Sequence, residues 1–593
     1  MSQPSTRKPY YVTTAILYAN DTPHVGHAFE MLGADVMVRA KRMLGYDVYF
    51  QTGTDEHGQK MLEYAQRNNM DPRAFADVVA PKHKDLWDAL HISYNRFFRT
   101  TSDDHQAAVE RFWHAAAEKG DIYKGKYEGW YCVTDENFVL ESQTTTRPDA
   151  PGKHFCPECS NELTWKSEES YFFRWSKYQS FVEQWLKENP QFIQPGFRAN
   201  EMINSFLKPG LQDISISRST ITWGIPVPGD PEHVIYVWFD ALINYVTGVG
   251  YAVDDQRFAR FWPANLHIVG KDILKFHTLL WPAMCESVGI APPRQVFGHG
   301  FVSPKPVFNK EDGPVELRPT VQWTPVDGGV QVTENDAPLG LVQTTATDDA
   351  GVRQAIVDAL GEKVIKAAKM SKSRGNVVNP YDVLARFGGN PDPLRFFLLR
   401  EIDFGGDGYF SDEALQATYN ADLADKIGNL LSRTLTMVDK YQGGVVNPPA
   451  AYDAVDEAAR AVVMHSFGKA DGGADVTRYE ALMDACRFCD VIEAVLAGAQ
   501  RLNQYITETQ PFKLAKDPEQ ADRLGAILYT LVEGLRVLAV QLYPFVPGTS
   551  EKIWQQVGGA GRLEDVAFED LSRWGYLQNA KTTRGENLFP KEQ

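Results

Sequence analysis

The run Tyr10 to Tyr18 is rich in β-branched and aromatic residues and predicts a strand. Ala19-Asn20-Asp21-Thr22-Pro23 turns the chain. Phe29, Leu32, Val36 and Met43 then recur at near-helical spacing, and Gly45 ends that helix. Tyr46 to Gln51 predicts a second strand, followed by Asp55-Glu56-His57-Gly58 and more helix. Strand, helix and strand with short joins open a parallel α/β sheet, in which ligands gather beyond the carboxyl ends of the strands. His24-Val25-Gly26-His27 and Asp55 to Gly58 both fall there. Strands resume at His233 to Phe239 and Leu266 to Val269, and Gly270-Lys271-Asp272 leads into a helix from Ile273 to Val288.

Two stretches interrupt this pattern. Residues 119–231 hold short strands rich in Gly, Cys and Trp, with one helix near Tyr178 to Glu188, and read as an insertion between two halves of the sheet. Residues 302–367, rich in Val, Thr, Asp, Gly and Pro, read as a surface insertion of short strands with a helix near Val352 to Leu360. From Ser411 onward the pattern is helical. Asp412 to Lys440, Asp453 to Lys469, Arg478 to Thr507 and Glu519 to Leu542 are long amphipathic candidates, with Thr549 to Val557 a short fifth, which predicts a helix bundle.

Composition narrows the class. The 593 residues, 43% hydrophobic and 23% charged, suit a folded soluble protein, and the net charge of −17 fails the usual basic test for a nucleic-acid binder. Six cysteines are too few for a secreted disulfide framework, and Met1 to Pro9 lacks the apolar stretch of a signal peptide. Leu524 to Val540, the longest apolar stretch, carries Glu533 and Arg536 and reads as an amphipathic helix rather than a membrane span. The expectation is a cytoplasmic protein with no membrane partner.

Candidate chemistry sits at a few places. His24 and His27, three apart at a helix start, face whatever binds there. That helix end offers N–H groups and partial positive charge to a phosphate, and Gly26 lets a flat ring approach the backbone. Lys369-Met370-Ser371-Lys372-Ser373, before Arg374-Gly375-Asn376, can grip a polyphosphate, although alone it reads sooner as a solvated basic loop. Cys156-Pro157-Glu158-Cys159 is a metal-type pair, and Cys132 precedes it. A tetrahedral Zn2+ site needs a fourth ligand, which Asp135 or His154 could supply. Cys486 and Cys489 repeat the spacing among apolar helical positions and read as buried thiols.

The two phosphate motifs together resemble the signatures of class I aminoacyl-tRNA synthetases. Further blocks resemble the methionyl-tRNA synthetases in particular: Ala15 to Asn20, Gly53 to Gly58, Trp223 to Pro226, Tyr236 to Ala241, Gly270 to Ile273 with His277, and Tyr419 to Asp422. The resemblance implies a Rossmann-type parallel-sheet catalytic domain with an inserted connective domain, followed by an all-α anticodon-binding helix bundle. The expected boundaries are 1–118 and 232–380 for the catalytic halves, 119–231 for the connective insertion with a zinc knuckle near 125–170, 381–410 for a stem-contact linker and 411–593 for the bundle. It implies ATP with Mg2+, L-methionine and tRNA(Met) as cofactor and partners. Zinc is left open, because the family has both zinc-bearing and metal-free knuckles.

The implied site residues follow by position. His24, Gly26, His27, Lys369, Ser371, Lys372 and Ser373 would bind ATP, with His24, His27, Lys369 and Lys372 catalytic. Ala15, Ile16, Tyr18, Asp55, Trp238, Ala241, Tyr245, Ile273 and His277 would bind methionine. Asp55 would hold the ammonium group, and Tyr245 and His277 would each offer the sulfur a proton. Asn429, Arg433 and Phe512 would read the anticodon, with Phe512 standing where the family usually has Trp. Runner-up readings are a class I synthetase for another apolar or sulfur amino acid, and a catalytically silent tRNA-binding paralogue. Without an appended oligonucleotide-binding barrel the expected state is a monomer.

The acidic body implies that local basic patches bind RNA, with Lys363, Lys366, Lys369, Lys372 and Arg374 forming one and Lys426, Arg433 and Lys440 another.

Overall fold

The computed structural model describes residues 7–133, 137–139, 141, 144–147, 150–157, 159–304, 317, 321–334, 337–346, 348–360, 377–470 and 476–591. Strand β1 (Pro9–Tyr18), helix α1 (Val25–Met43), β2 (Asp47–Asp55) and β3 (Arg96–Arg99) build one half of a six-stranded sheet. The other half runs outward from β1 through Leu266–Gly270, Val296–His299 and Ile193–Gln194, and every pairing is parallel. Between β1 and Leu266–Gly270 the winding reverses, and that crevice is where such sheets bind ligands. Gly53 is dictated by close approach: a Cβ there would lie 2.1 Å from the Phe98 carbonyl oxygen on β3.

Ile193–Gln194 arises within the expected insertion yet completes the sheet's edge, and two residues are too few for a periodic signal. The rest of that stretch is largely antiparallel, with Ile122–Cys132 paired to Thr164–Phe173. The strand expected over His233 to Phe239 holds only through Ile235. Asp230–Ile235 is a strand, in a small separate sheet, and Val237–Thr247 is a helix. Every residue of that helix except Trp238 is buried, polar Asp240, Asn244 and Thr247 included, so it shows no solvent-facing stripe whose period would separate helix from strand.

The second insertion forms a three-stranded antiparallel sheet (Val321–Val326, Gly329–Glu334, Ala337–Gln343) under the helix Asp349–Leu360. Its small core includes Val330, Val332, Val342, Ile356 and Val357.

In the C-terminal region Asp412–Thr418 passes through a π-helical stretch, Tyr419–Gly428, into Asn429–Gln442. The single helix expected over Arg478 to Thr507 is two, Arg478–Asp484 and Phe488–Thr509, because Cys486 adopts a left-handed backbone with φ of 53°. Its partner Cys489 lies 3.3 Å from the carbonyls of Leu399 and Ile402, a buried thiol rather than a metal ligand.

The helix Ala521–Leu542 is long and apolar enough to cross a membrane by length and composition, but it is the bundle's buried centre. Glu533 and Arg536, expected on a polar face, are fully buried and paired. Glu533 accepts the backbone N–H groups of Gly575 at 2.9 Å and Tyr576 at 3.0 Å, while Arg536 donates to the carbonyls of Leu571 and Arg573. The pair pins the C-terminal segment to the bundle. Glu533→Gln leaves Arg536 uncompensated and is expected to lower the unfolding free energy by about 3–5 kcal/mol, read by urea denaturation; a change under ~1 kcal/mol would contradict the pairing.

Candidate active site

Parallel register sets the first contacts. Tyr18 lies opposite Asp55 and Ile16 opposite Gly53, so the carboxyl ends of β1 and β2 carry the expected pocket residues side by side. A register shift between Thr13 and Ile16 frees the Ala15 N–H from the ladder, and Glu30 of α1 accepts it at 2.8 Å. The other Glu30 oxygen meets His299 Nε2 at 3.2 Å.

The helix Val237–Thr247 contributes Trp238, Ala241 and Tyr245, spaced to share one face. Tyr245 Oη lies 2.8 Å from His277 Nε2, and His277 Nδ1 lies 3.0 Å from the Ile273 carbonyl. A carbonyl can only accept, so Nδ1 carries the ring proton. Burial pushes the imidazole down to about 4, so at neutral pH Nε2 is bare and Tyr245 donates to it. This corrects the expectation that both groups offer the ligand a proton: each already spends it. Trp238 stacks on Phe276 at 4.0 Å and meets His277 edge-on at 6.3 Å, leaving a polarizable aromatic wall.

Two features escaped the motif reading. Asp240, fully buried, is bracketed by His57 Nδ1 and His105 Nε2, each at 2.6 Å. Burial alone would raise its carboxyl, but the two imidazoles win and hold it at about 2. It thereby ties the Asp55–Gly58 loop to the Trp238 helix. Behind Tyr245, the His267 ring lies at 4.3 Å, tilted by 31°, while its Nδ1 meets Thr13 Oγ1 at 2.6 Å. Spacing carried no signal for either, since the partners are far apart in sequence.

At the start of α1, His24 caps the helix. Its Nδ1 accepts the Gly26 N–H at 3.1 Å, and His27 Nδ1 accepts the His24 N–H at 3.1 Å. The backbone donors expected for phosphate are therefore used internally: besides Gly26, the Val25 N–H goes to the Val378 carbonyl and those of His27 and Ala28 go to the His24 carbonyl. An Nδ1 that accepts is unprotonated, so each neutral ring bears its proton on Nε2. The rings stack at 3.8 Å, and a Cβ at Gly26 would sit 2.9 Å from His24, so the ring that needs the glycine is His24's own.

The family model for class I tRNA synthetases of the M type matches residues 10–306 and 354–435, and one for the anticodon-binding domain of tRNA ligases matches 474–586. The methionine–tRNA ligase of Caldanaerobacter subterraneus subsp. tengcongensis is 40% identical over 587 residues, covering 99% of this chain and 79% of that protein. That of Bacillus subtilis is 36% identical over 594 residues, covering 99% and 78%. The structure of Mycobacterium tuberculosis methionyl-tRNA synthetase bound by methionyl-adenylate superposes with a TM-score of 0.82 at 36% identity, covering 98% of this chain and all of that one. The chain belongs to the class I tRNA synthetases.

Residues 307–353 of this synthetase, which hold the three-stranded sheet, fall outside the catalytic family match. Lys369, Ser371, Lys372 and Ser373 lie outside the described residues, as does the basic patch from Lys363 to Arg374. The segment that follows is placed: the Val378 carbonyl accepts the Val25 N–H at 3.1 Å, directly beside His24.

Asn429 and Arg433 are exposed on Asn429–Gln442, and Phe512 is 46% exposed on Pro511–Leu514. Lys426 of the second basic patch is paired with Asp422 at 2.6 Å. In the connective insertion Cys132, Cys156 and Cys159 place their sulfurs within 4.8 Å of one another, a donor set that fits a tetrahedral soft-metal site. His154 stacks on Trp130 and bonds Thr144 at 2.7 Å, outside that cluster. Asp135 lies outside the described residues.

His277 titrates near 6.5 when unfolded and about 4 when folded, so the unfolded chain binds the proton first and this term of stability falls as pH drops through that window. The stability difference between wild type and His277→Gln should shrink by about 2 kcal/mol from pH 7.5 to pH 5 in urea denaturation. A difference independent of pH would contradict a neutral buried imidazole.

Proposed function

We propose that this synthetase is a methionine–tRNA ligase, which activates L-methionine with ATP and transfers it to tRNA(Met). The observation that carries the reading is the aromatic, uncharged cluster of Trp238, Tyr245 and His277, with the Asp55 carboxylate near enough to act on Tyr245. Asp55 holds the α-ammonium by a charge-assisted hydrogen bond. The aromatic wall takes the thioether, each sulfur–aromatic contact contributing ~0.3–1.5 kcal/mol. Ala15, Ile16, Ala241 and Ile273 shape the remainder.

The methionine carboxylate oxygen attacks the α-phosphorus of ATP. The bond to the bridging oxygen breaks, pyrophosphate leaves, and methionyl-adenylate remains. A hydroxyl of the terminal tRNA adenosine then attacks the adenylate carbonyl and AMP departs. Such displacements ask the protein chiefly for positioning and charge stabilisation. His24 and His27 donate Nε2–H to phosphate oxygens, and Lys369 and Lys372 neutralise the departing pyrophosphate. Mg2+ bound with ATP would offset phosphate charge. Zinc on Cys132, Cys156 and Cys159, with Asp135 as fourth ligand, would hold the connective insertion together. Asn429, Arg433 and Phe512 read the anticodon, and Phe512 stacks without the N–H that Trp would add. The proposal includes a cytoplasmic monomer and the boundaries 1–118, 119–231, 232–380, 381–410 and 411–593.

Methionine-dependent ATP–pyrophosphate exchange across a panel of amino acids tests the reading: methionine alone should support rapid exchange. Lys372→Ala should lower it by roughly two decades or more with methionine affinity little changed; near-normal exchange would remove Lys372 from catalysis. Arg433→Ala should raise the tRNA KM and leave exchange intact, whereas equal losses in both assays would contradict an anticodon role. Purified protein should carry about one zinc per chain, and well under ~0.5 would end the zinc assignment.

A further inference from the structure

Helix α1 is engaged at both ends. Its start carries His24 and His27. About ten residues later, roughly 15 Å along the axis, Asp35 meets Arg395 at 2.7 Å, and both side chains are fully buried. Arg395 comes from the helix Asp392–Glu401. Its guanidinium also donates to the Leu90 carbonyl at 3.0 Å in the catalytic half and to the Pro544 and Phe545 carbonyls at 2.8 Å in the bundle. Asp35 in turn accepts from Arg39 at 2.7 Å and from the Ser93 N–H and hydroxyl at 2.7 and 2.6 Å. Burial opposes the charge, but Arg39 and Arg395 keep the carboxyl well below the usual range.

Other contacts run the same way. Arg39 lies 5.9 Å over the Tyr543 ring, and Lys41 pairs with Asp484 of the bundle. Phe404 packs over Gly33 of α1, where a Cβ would come within 2.2 Å of its ring, and meets Phe488 of the bundle at 5.1 Å.

A planar fork with acceptors on α1, the catalytic half and the bundle cannot follow one without pulling the others. The surrounding core is close-packed, so a displacement of the bundle is passed on rather than absorbed. We propose that Asp35 and Arg395 are a positioning pair that couples RNA occupancy of the helix bundle to the ATP-binding start of α1. The mechanical element is α1, which presents its capping histidines to the nucleotide at one end and is clamped to the RNA-binding bundle near the other.

The proposal rests on the ligase reading, and one experiment separates the two. The isolated anticodon stem–loop of tRNA(Met), which has no acceptor end, is added to the methionine-dependent exchange assay. In the wild-type chain a saturating stem–loop should lower the ATP KM about fivefold or more, the usual scale of coupling between sites. Arg395→Lys, and Asp35→Leu with Arg395→Met, which removes both charges together, should still bind the stem–loop but shift the KM less than twofold. A loss of stability alone lowers kcat equally with and without the stem–loop and leaves the KM shift intact. The proposal is overturned if wild type binds the stem–loop with no KM shift, or if the variants shift as wild type does. Absence of any methionine-dependent exchange would instead defeat the ligase reading.

Discussion

The site depends on the parallel pairing of three neighbouring strands, β1, β2 and Leu266–Gly270. Their common direction brings Tyr18, Asp55 and the Gly270–Ile273 turn to one edge, although these residues are scattered over the first half of the chain. A parallel ladder needs long crossover connections, and those crossovers supply the rest of the site. Helix α1 follows β1 and starts at His24, while Val237–Thr247 and the His277 segment flank Leu266–Gly270. Reversal of the winding beside β1 leaves the crevice open.

Buried carboxylates hold these pieces in register. Glu30 fixes the irregularity at Ala15, Asp240 joins His57 to His105, and Asp35 ties α1 to Arg395. Glu56 is gripped by Arg99 at 2.6 and 3.0 Å. Each bridges elements distant in sequence, and Asp35, Asp240 and Glu56 are each satisfied by more than one donor. Burying such charges is unfavourable in itself; the gain lies in fixing one arrangement, because removal of any partner strands a charge in a dry interior.

Local chemistry was legible from the chain. The histidine pair, the Asp55 loop, the cysteine triplet and the helical C-terminal half could be read because each is a short-range pattern. What long-range packing decides could not. Val237 to Phe239, the start of the helix Val237–Thr247, reads as strand because tertiary burial leaves that helix no polar face, and the Glu533–Arg536 pair reads as solvent-facing because its backbone partners lie some forty residues on. The break at Cys486 has no local breaker such as Gly or Pro. Tyr245 and His277, which resemble donors to a ligand, spend their protons within the protein: Tyr245 donates to His277 Nε2, and His277 Nδ1 donates to the Ile273 carbonyl.

The central claim is that the site at the carboxyl ends of β1, β2 and Leu266–Gly270 recognises methionine through its free ammonium group. Calorimetric titration of L-methionine into the wild-type chain and into Asp55→Asn, without ATP, tests it most directly. A hydrogen bond to a charged group contributes about 1.5–3 kcal/mol. The account therefore predicts saturable one-to-one binding to wild type, weakened at least tenfold in the variant. Equal affinity for the two proteins, or no binding to the wild type, would contradict it.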